Sequence, residues 1–236
     1  MGTGRYPGRV PQDAIDAALT RPLYTLGEAA AIVDVRPSTL HRWARGYSFK
    51  GVDGDQHSSD ALVTTTGIGR GAVVPFVGLA EAYVLAAFRA AGVPMQRIRP
   101  ALDRLAREYG IAAALTSERL KTDGAEVLWE YRDEDDAEVV DQLVVVRNQQ
   151  AVFRDVVRQY LRTITYRSGR VAIIGLPQYR TDVIVDPLRN FGRPTIARRG
   201  VRVADVLDRL HAGEPAEDVA LDYGLEISEV AALTAA

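Results

Sequence analysis

Apolar residues follow a helical spacing through most of the first half of the chain. Thr25 and Glu28 stand three positions apart just before an apolar run, the pattern of a capping box in which each side chain accepts a hydrogen bond from a free backbone N–H. A short turn follows, and Pro37 suits the first position of a second helix, which we expect to end near Arg45. Two short helices joined by a tight turn predict a helix-turn-helix.

The segment after this helix pair is predicted to alternate between extended and helical structure. Tyr47–Lys50 is expected as a strand and Gly51–Ala61 as a polar loop. Apolar residues at every fourth position predict an amphipathic helix over Leu79–Ala91. Further short helices are expected to begin at Pro94 and Pro100, because proline is tolerated at the first helical position.

Beyond residue 115 the spacing becomes extended, and two hairpins are indicated. Asp123-Gly124 and Ser168-Gly169 each separate two strand-like runs, and such dipeptides favour tight hairpin turns. Phe153–Leu161 is predicted as a helix between the two hairpins. An extended arm then begins at Asp186. Three short helices are expected after the arm, over Val203–Ala212, Pro215–Tyr223 and Ile227–Thr234.

Together these patterns predict a mainly α-helical chain with a small α+β middle. We expect an N-terminal arm over residues 1–20 and a helix-turn-helix domain over residues 21–115. Residues 116–185 are expected to form the middle region with its hairpins, and residues 186–236 a C-terminal three-helix, helix-turn-helix-like domain.

Composition narrows the possible chemistry. The 236 residues include no cysteine and three histidines, which excludes a disulfide scaffold, a thiol nucleophile and a cysteine-based metal site. No Ser/His/Asp set or carboxylate pair is indicated by spacing, and the Asp53–Asp60 and Gly67–Gly71 stretches are typical of solvated loops. We therefore expect no enzyme activity, no cofactor and no metal. No apolar run reaches the length of a membrane span and the start lacks a signal peptide, so a cytoplasmic protein is expected.

Charge divides the chain into a basic front and an acidic back. Residues 1–110 carry 13 lysines and arginines against 10 acids, whereas residues 186–236 carry 6 against 9. Such asymmetry indicates two different partners.

The basic character concentrates on the predicted second helix of the helix-turn-helix. Four lysines or arginines and no acid lie between Arg36 and Lys50, so this surface attracts phosphate. A plain helical hairpin with solvated arginines is the alternative. The predicted DNA-binding residues are Arg36, Ser38, Thr39, His41, Arg42, Arg45, Tyr47 and Lys50.

Two stretches resemble MerR-type winged helix-turn-helix proteins, YTLGEAAAIVDVRPSTLHRWARGY and FVGLAEAYVLAAFRAAGVPMQRIRPALDRL. The resemblance implies that Ser38, Thr39, His41 and Arg42 face operator DNA and that Tyr47–Lys50 belongs to the wing. Arg36 departs from the pattern, because a capping Ser or Thr is usual there. The helix that pairs two MerR subunits is long, whereas Ala101–Tyr109 is too short for a stable coiled coil. We therefore expect a homodimer held by the middle or C-terminal region.

Residues 186–233 resemble a small domain of VapB-type antitoxins, through the GRP-I-GxRV arm, the AGE turn and the DYG stop. The toxins of such antitoxins are PIN-domain ribonucleases of the VapC type. The resemblance implies a DNA-binding antitoxin that neutralises such a toxin by occlusion.

The charges of this back end indicate its role. Residues 210–236 hold six acids and no lysine or arginine, so DNA repels this surface and a protein partner or dimer contact is expected. A stable cap with a solvated acidic face is the alternative. Residues 187–204 before it hold five arginines and no acid, and arginine forks suit the carboxylates that hold the metal of a PIN ribonuclease. The predicted toxin-binding residues are Arg189, Arg193, Arg198, Arg199 and Arg202.

These arginines have a second interpretation, in which some of them pair with Asp205, Asp208 or acids of the middle region. The functional hypothesis is an antitoxin that binds a PIN-domain toxin and represses its own operon. The alternative is a MerR-like transcriptional regulator whose middle region senses a small molecule.

Overall fold

The computed structural model describes residues 11–50, 56–67, 69–92, 114–118 and 159–235. The helices expected after Pro94 and Pro100, the hairpin at Asp123-Gly124 and most of the helix over Phe153–Leu161 lie outside the described residues. In the part of the front that the structure describes there are four helices and four short strands. They are α1 (Gln12–Thr20), β1 (Pro22–Tyr24), α2 (Leu26–Ile32), α3 (Pro37–Arg45), β2 (Tyr47–Lys50), β3 (Gln56–Ser59), β4 (Val74–Pro75) and α4 (Phe76–Ala90).

The predicted capping box and second helix are confirmed. The Glu28 N–H donates to Thr25 Oγ1 at 3.1 Å, and the Thr25 N–H donates to Glu28 Oε2 at 2.8 Å. Pro37 occupies the start of α3, and Arg36 at its N-cap makes no capping side-chain bond. The turn between the helices passes through Asp34, whose φ of 53° is left-handed. Local chemistry thus sets where α2 begins and where the chain turns into α3.

The polar loop expected over Gly51–Ala61 contains a strand. β3 pairs with β2 in antiparallel register from Tyr47 opposite Ser59 to Lys50 opposite Gln56. The sequence Gln-His-Ser-Ser has neither alternation nor β-branched residues, so only pairing with β2 makes it a strand.

α4 is the central helix, whereas the sequence indicated an amphipathic helix with a solvent face. It begins at Phe76, three residues before the predicted start, and Leu79, Leu85 and Phe88 are fully buried. Most of its residues are apolar, and a helix that is apolar on all sides is buried on all sides.

The middle and back of the chain share a five-stranded antiparallel sheet in sequential order. The predicted hairpin at Ser168-Gly169 is confirmed, because both residues have positive φ (52° and 75°), as a two-residue primed turn requires. The strands are β5 (Ile164–Arg167), β6 (Arg170–Gly175), β7 (Val183–Val185), β8 (Thr195–Ile196) and β9 (Val201–Arg202). Only short hairpins were expected here, and the predicted extended arm supplies β8 and β9.

Three helices follow the sheet. They are α5 (Val203–His211), α6 (Ala216–Tyr223) and α7 (Ile227–Thr234). Val206, Val219 and Val230, one from each helix, are buried in the common core. Gly224 ends α6 in the left-handed conformation, with φ of 62°.

Front and back pack against one hydrophobic core that runs from Leu19 to Leu233. The Tyr24 hydroxyl of β1 donates to the Gly192 carbonyl at 2.7 Å, and the Gln178 amide donates to the Ile32 carbonyl at 3.1 Å. The helix-turn-helix therefore rests directly on the back half of the chain. Within the described ranges, no helix is long and apolar enough to cross a membrane.

Candidate functional site

α3 presents one buried and one exposed face. Leu40, Trp43 and Ala44 are buried against the core, which fixes the rotation of the helix about its axis. The opposite face carries the predicted DNA-binding side chains. Arg36, Ser38, His41, Arg42 and Arg45 are exposed, and Thr39 is half-buried.

The arginines of this face are available to a ligand. Among the described residues, Arg36, Arg42 and Arg45 form no ion pair with a carboxylate. Tyr47 and Lys50 lie at the two ends of β2, directly after α3. Unpaired guanidinium groups along one helix face can contact phosphate oxygens or the acceptor edge of guanine without breaking an internal bond.

Arg89 joins this surface, and sequence reasoning missed it. It lies at the end of α4, is exposed, and donates from Nη1 to Thr39 Oγ1 at 3.1 Å. Its charge therefore lies beside α3, although fifty residues separate it from Thr39. No local pattern in the sequence signals this contact, because it depends on where the fold places the end of α4.

The arginine arm is largely committed to partners within the chain. Arg193 donates to Glu28 Oε1 at 2.6 Å, and its guanidinium lies 5.8 Å from the centre of the Tyr24 ring. Partial burial alone would raise the pKa of Glu28, but the bonds from the Thr25 N–H and Arg193 hold it below its ordinary value. Arg193 thus binds the capping box of α2 rather than pointing freely to solvent.

Two more arginines of the arm pair with the C-terminal helices. Arg198 donates to Glu229 at 2.8 Å, and Arg202 donates twice to Asp205, at 2.9 and 2.5 Å. Arg189 donates to the Ala197 carbonyl at 3.3 Å. The alternative interpretation, that some arginines pair with acids of the same chain, therefore holds for Arg202 and Asp205.

Arg199 differs from the rest of the arm. It is exposed and forms no ion pair or hydrogen bond with any described residue. Its guanidinium lies over Gly224, where an added Cβ would approach Arg199 Cζ to 3.4 Å. Of the five predicted toxin-binding arginines, Arg199 is the one for which no hydrogen bond or ion pair to a described residue is found.

The acidic tail has fewer unpaired carboxylates than its composition suggested. Arg209 binds Glu214 at 2.5 Å and Asp222 at 2.8 Å, and Arg198 neutralises Glu229. Glu217 and Asp218 of α6 remain exposed without an ion pair to a described residue. Leu221 lies on the same helix and is 79% exposed. The outer face of α6 therefore combines two free carboxylates with an apolar side chain.

No group of three or more His, Asp or Glu side chains that could hold a metal ion occurs within the described part of the chain.

Comparisons with known proteins match both halves of the chain. A model described as "Putative DNA-binding HTH domain" matches residues 22–102, and one described as "Protein of unknown function (DUF433)" matches residues 183–235. The chain is 46% identical to the "Putative antitoxin VapB45" of Mycobacterium tuberculosis over 213 residues, which cover 86% of this chain and 89% of that protein.

Two further similarities extend over nearly the whole chain. The "Uncharacterized protein Rv2308" of the same organism is 26% identical over 232 residues, 92% of this chain and 90% of that one. The crystal structure of Rv2018 from Mycobacterium tuberculosis superposes with a TM-score of 0.71 at 37% identity, covering 91% of this chain and 98% of that one. This chain and Rv2018 thus share their fold over both the front and the back of the chain.

Proposed function

This chain belongs to the family of the "Putative antitoxin VapB45", and we propose that it is a non-enzymatic, DNA-binding antitoxin that neutralises a PIN-domain ribonuclease of the VapC type. The observation that carries the proposal is the separation of two free charged surfaces. The unpaired arginines of α3 suit DNA at the front, while Arg199 and the free acids of α6 suit a protein at the back.

At the front, α3 acts as the recognition helix of a MerR-like winged helix-turn-helix. Ser38, Thr39, His41 and Arg42 contact base edges, because they lie in the first two turns of the exposed face. Arg36, Arg45, Tyr47 and Lys50 contact the phosphate backbone, the last two from the β2–β3 hairpin, which serves as the wing. Binding to the promoter of its own operon makes the protein an autorepressor. A two-fold operator requires two reading heads, so the functional unit is a homodimer.

Replacing Arg42 by alanine is expected to weaken operator binding by about 1–3 kcal/mol, since an exposed arginine that reads a base contributes that much. The thermal midpoint should not change, because Arg42 has no internal partner among the described residues. Gel-shift titration of the duplex upstream of the gene at moderate salt measures the loss. R162A, which removes another exposed arginine, is the matched control. Equal affinities for R42A and the native chain would contradict the assignment of α3.

At the back, the toxin is held by Arg199 and the arm around it. The carboxylates that hold the metal of a PIN ribonuclease suit the Arg199 guanidinium, which makes no hydrogen bond or ion pair with a described residue, although its charge helps to lower the pKa of Glu229. Glu217 and Asp218 face basic, RNA-binding surface of the toxin beside that site. Occupation of the active site by an arginine fork excludes RNA and metal together.

Reversing the charge of Arg199 is expected to lower the affinity for the toxin at least tenfold, since breaking one side of a desolvated charge pair costs about 2–5 kcal/mol. The measurement is copurification and calorimetric titration of the full-length chain with the protein encoded by the neighbouring gene, which the proposed function expects to be a PIN-domain ribonuclease. The full chain is required because residues 186–202 supply β8 and β9 of the sheet. R180E, at another exposed arginine, is the control. If R199E and R180E bind the toxin with equal affinity, Arg199 does not contact the active site of the toxin.

A further inference from the structure

Three consecutive residues after the arm's first arginine adopt a left-handed turn. Asn190, Phe191 and Gly192 have φ values of 47°, 54° and 72°. Glycine adopts this conformation freely and asparagine does so more readily than other residues, whereas phenylalanine is strained there. The fold itself therefore gives no reason to have phenylalanine at position 191.

The turn is held rigidly on both sides of this phenylalanine. The Asn190 side-chain amide donates to Thr195 Oγ1 at 3.0 Å and to the Gly200 carbonyl at 2.9 Å. The Gly192 carbonyl accepts the hydrogen bond from Tyr24 at 2.7 Å. Phe191 itself is 73% exposed. The strained turn thus presents an aromatic side chain to solvent.

Phe191 forms one wall of an open cleft of about 630 Å³ against α1. Ala14 and Ala17 of α1, both exposed, and Leu188 also line the cleft. Arg21 is the one charged residue among those that line the cleft. It is exposed and forms no ion pair with a described residue.

We propose that this cleft docks a segment of the PIN-domain toxin in which an apolar side chain is flanked by a carboxylate, with Phe191 as the aromatic anchor and Arg21 as the partner of the carboxylate. The proposal rests on the proposed function and adds a second contact to it. Rigid, well-placed aromatic and arginine side chains dominate the binding energy of protein interfaces. Positive charge without a neighbouring acid in the cleft selects an acidic partner.

A second copy of this chain is the less suitable occupant. In a two-fold contact centred on the cleft both copies contribute the same lining residues, so two Arg21 side chains enter the contact and no lining residue offers them a carboxylate. Two guanidinium groups repel each other in a desolvated contact. The carboxylate-bearing partner has no such conflict.

The test uses the full-length F191N variant, because asparagine relieves the left-handed strain while removing the aromatic ring. The free variant is expected to unfold at an equal or higher temperature than the native chain, and to bind the PIN-domain protein of the neighbouring gene at least thirtyfold more weakly. R21E should weaken the same complex at least tenfold with operator affinity unchanged. The matched control is R180N, because Arg180 is also exposed and left-handed, with φ of 52°. It should leave toxin binding unchanged.

Each contrary result has a distinct meaning. If the native chain binds the PIN-domain protein and F191N binds it equally well, the cleft is not a toxin contact. That result overturns the inference about the cleft and leaves the proposed function standing. If the native chain does not bind that protein at all, the proposed function falls as well. If sedimentation shows that F191N dissociates a homodimer while its toxin affinity is intact, the cleft belongs to a contact between copies, which also overturns the inference.

Discussion

Replacing Gly78 by alanine is expected to lower the free energy of unfolding by about 3 kcal/mol, the upper range for overpacking a core. Gly78 lies in the buried first turn of α4, and a Cβ there would lie 2.2 Å from the Thr64 carbonyl oxygen and 3.2 Å from Val74 Cγ1. The oxygen belongs to the backbone, so no side-chain rotation relieves the contact. Urea denaturation of the purified chain measures the change.

The control is a second helical glycine with open space around it. Gly27 in α2 is exposed, and a Cβ there would meet only Thr25 Oγ1 at 3.9 Å. G27A should therefore stabilise the protein by about 0.5–1 kcal/mol, because alanine is the better helix former. A G78A variant as stable as G27A would show that Thr64 and α4 separate easily, and that the core around α4 is loosely packed.

Features of the fold that depend on neighbours in sequence were predictable. The capping box of Thr25 and Glu28, Pro37 at the start of α3 and the Ser168-Gly169 turn each act within four residues, so the sequence carries their whole signal. The same holds for Leu40 and Trp43, whose spacing placed them in the core.

Features that depend on distant partners were not predictable. β8 has two residues, Thr195 and Ile196, which are too few for an alternating pattern, and β3 is polar throughout. Both are strands only because a neighbouring strand pairs with them. Arg89 likewise reaches α3 only through the packing of α4, and a single sequence does not report that geometry.

The charge counts overestimated how many arginines of the arm and how many acids of the tail are available to a partner. They treated all the arginines of the arm and all the acids of the tail as available, whereas Arg198 binds Glu229 and Arg209 binds Glu214. Opposite charges close in space cancel, and closeness is a property of the fold. Arg199, Glu217 and Asp218 make no hydrogen bond or ion pair with a described residue, and they form a smaller and more specific candidate interface.

The arm also joins the two ends of the molecule. Arg193 binds Glu28 of the capping box, and Gly192 accepts the hydroxyl bond of Tyr24. Burial raises the pKa of Tyr24 well above its ordinary value, so the hydroxyl keeps its proton and remains a donor at any physiological pH. A change in the arm therefore acts directly on the first helix of the DNA-binding unit.

Replacing Gly192 by alanine is expected to destabilise the protein by about 3 kcal/mol. An L-residue at φ of 72° costs about 1–2 kcal/mol, and the added Cβ would lie 2.2 Å from the Tyr24 hydroxyl oxygen, displacing its buried hydrogen bond. Operator affinity should fall as well, because β1 leads directly into the capping box of α2. Chemical denaturation and gel-shift titration measure the two losses.

Combining this variant with Y24F separates the steric conflict from a general loss of packing. Y24F alone is expected to cost about 1–2 kcal/mol, since it leaves the buried Gly192 carbonyl without its donor. In the G192A background the same change removes the oxygen that the new Cβ meets, so Y24F should cost nothing there or recover up to about 1 kcal/mol, a coupling of about 2 kcal/mol between the two sites. Strictly additive losses would mean that Tyr24 and Gly192 do not form the joint between the arm and the helix-turn-helix.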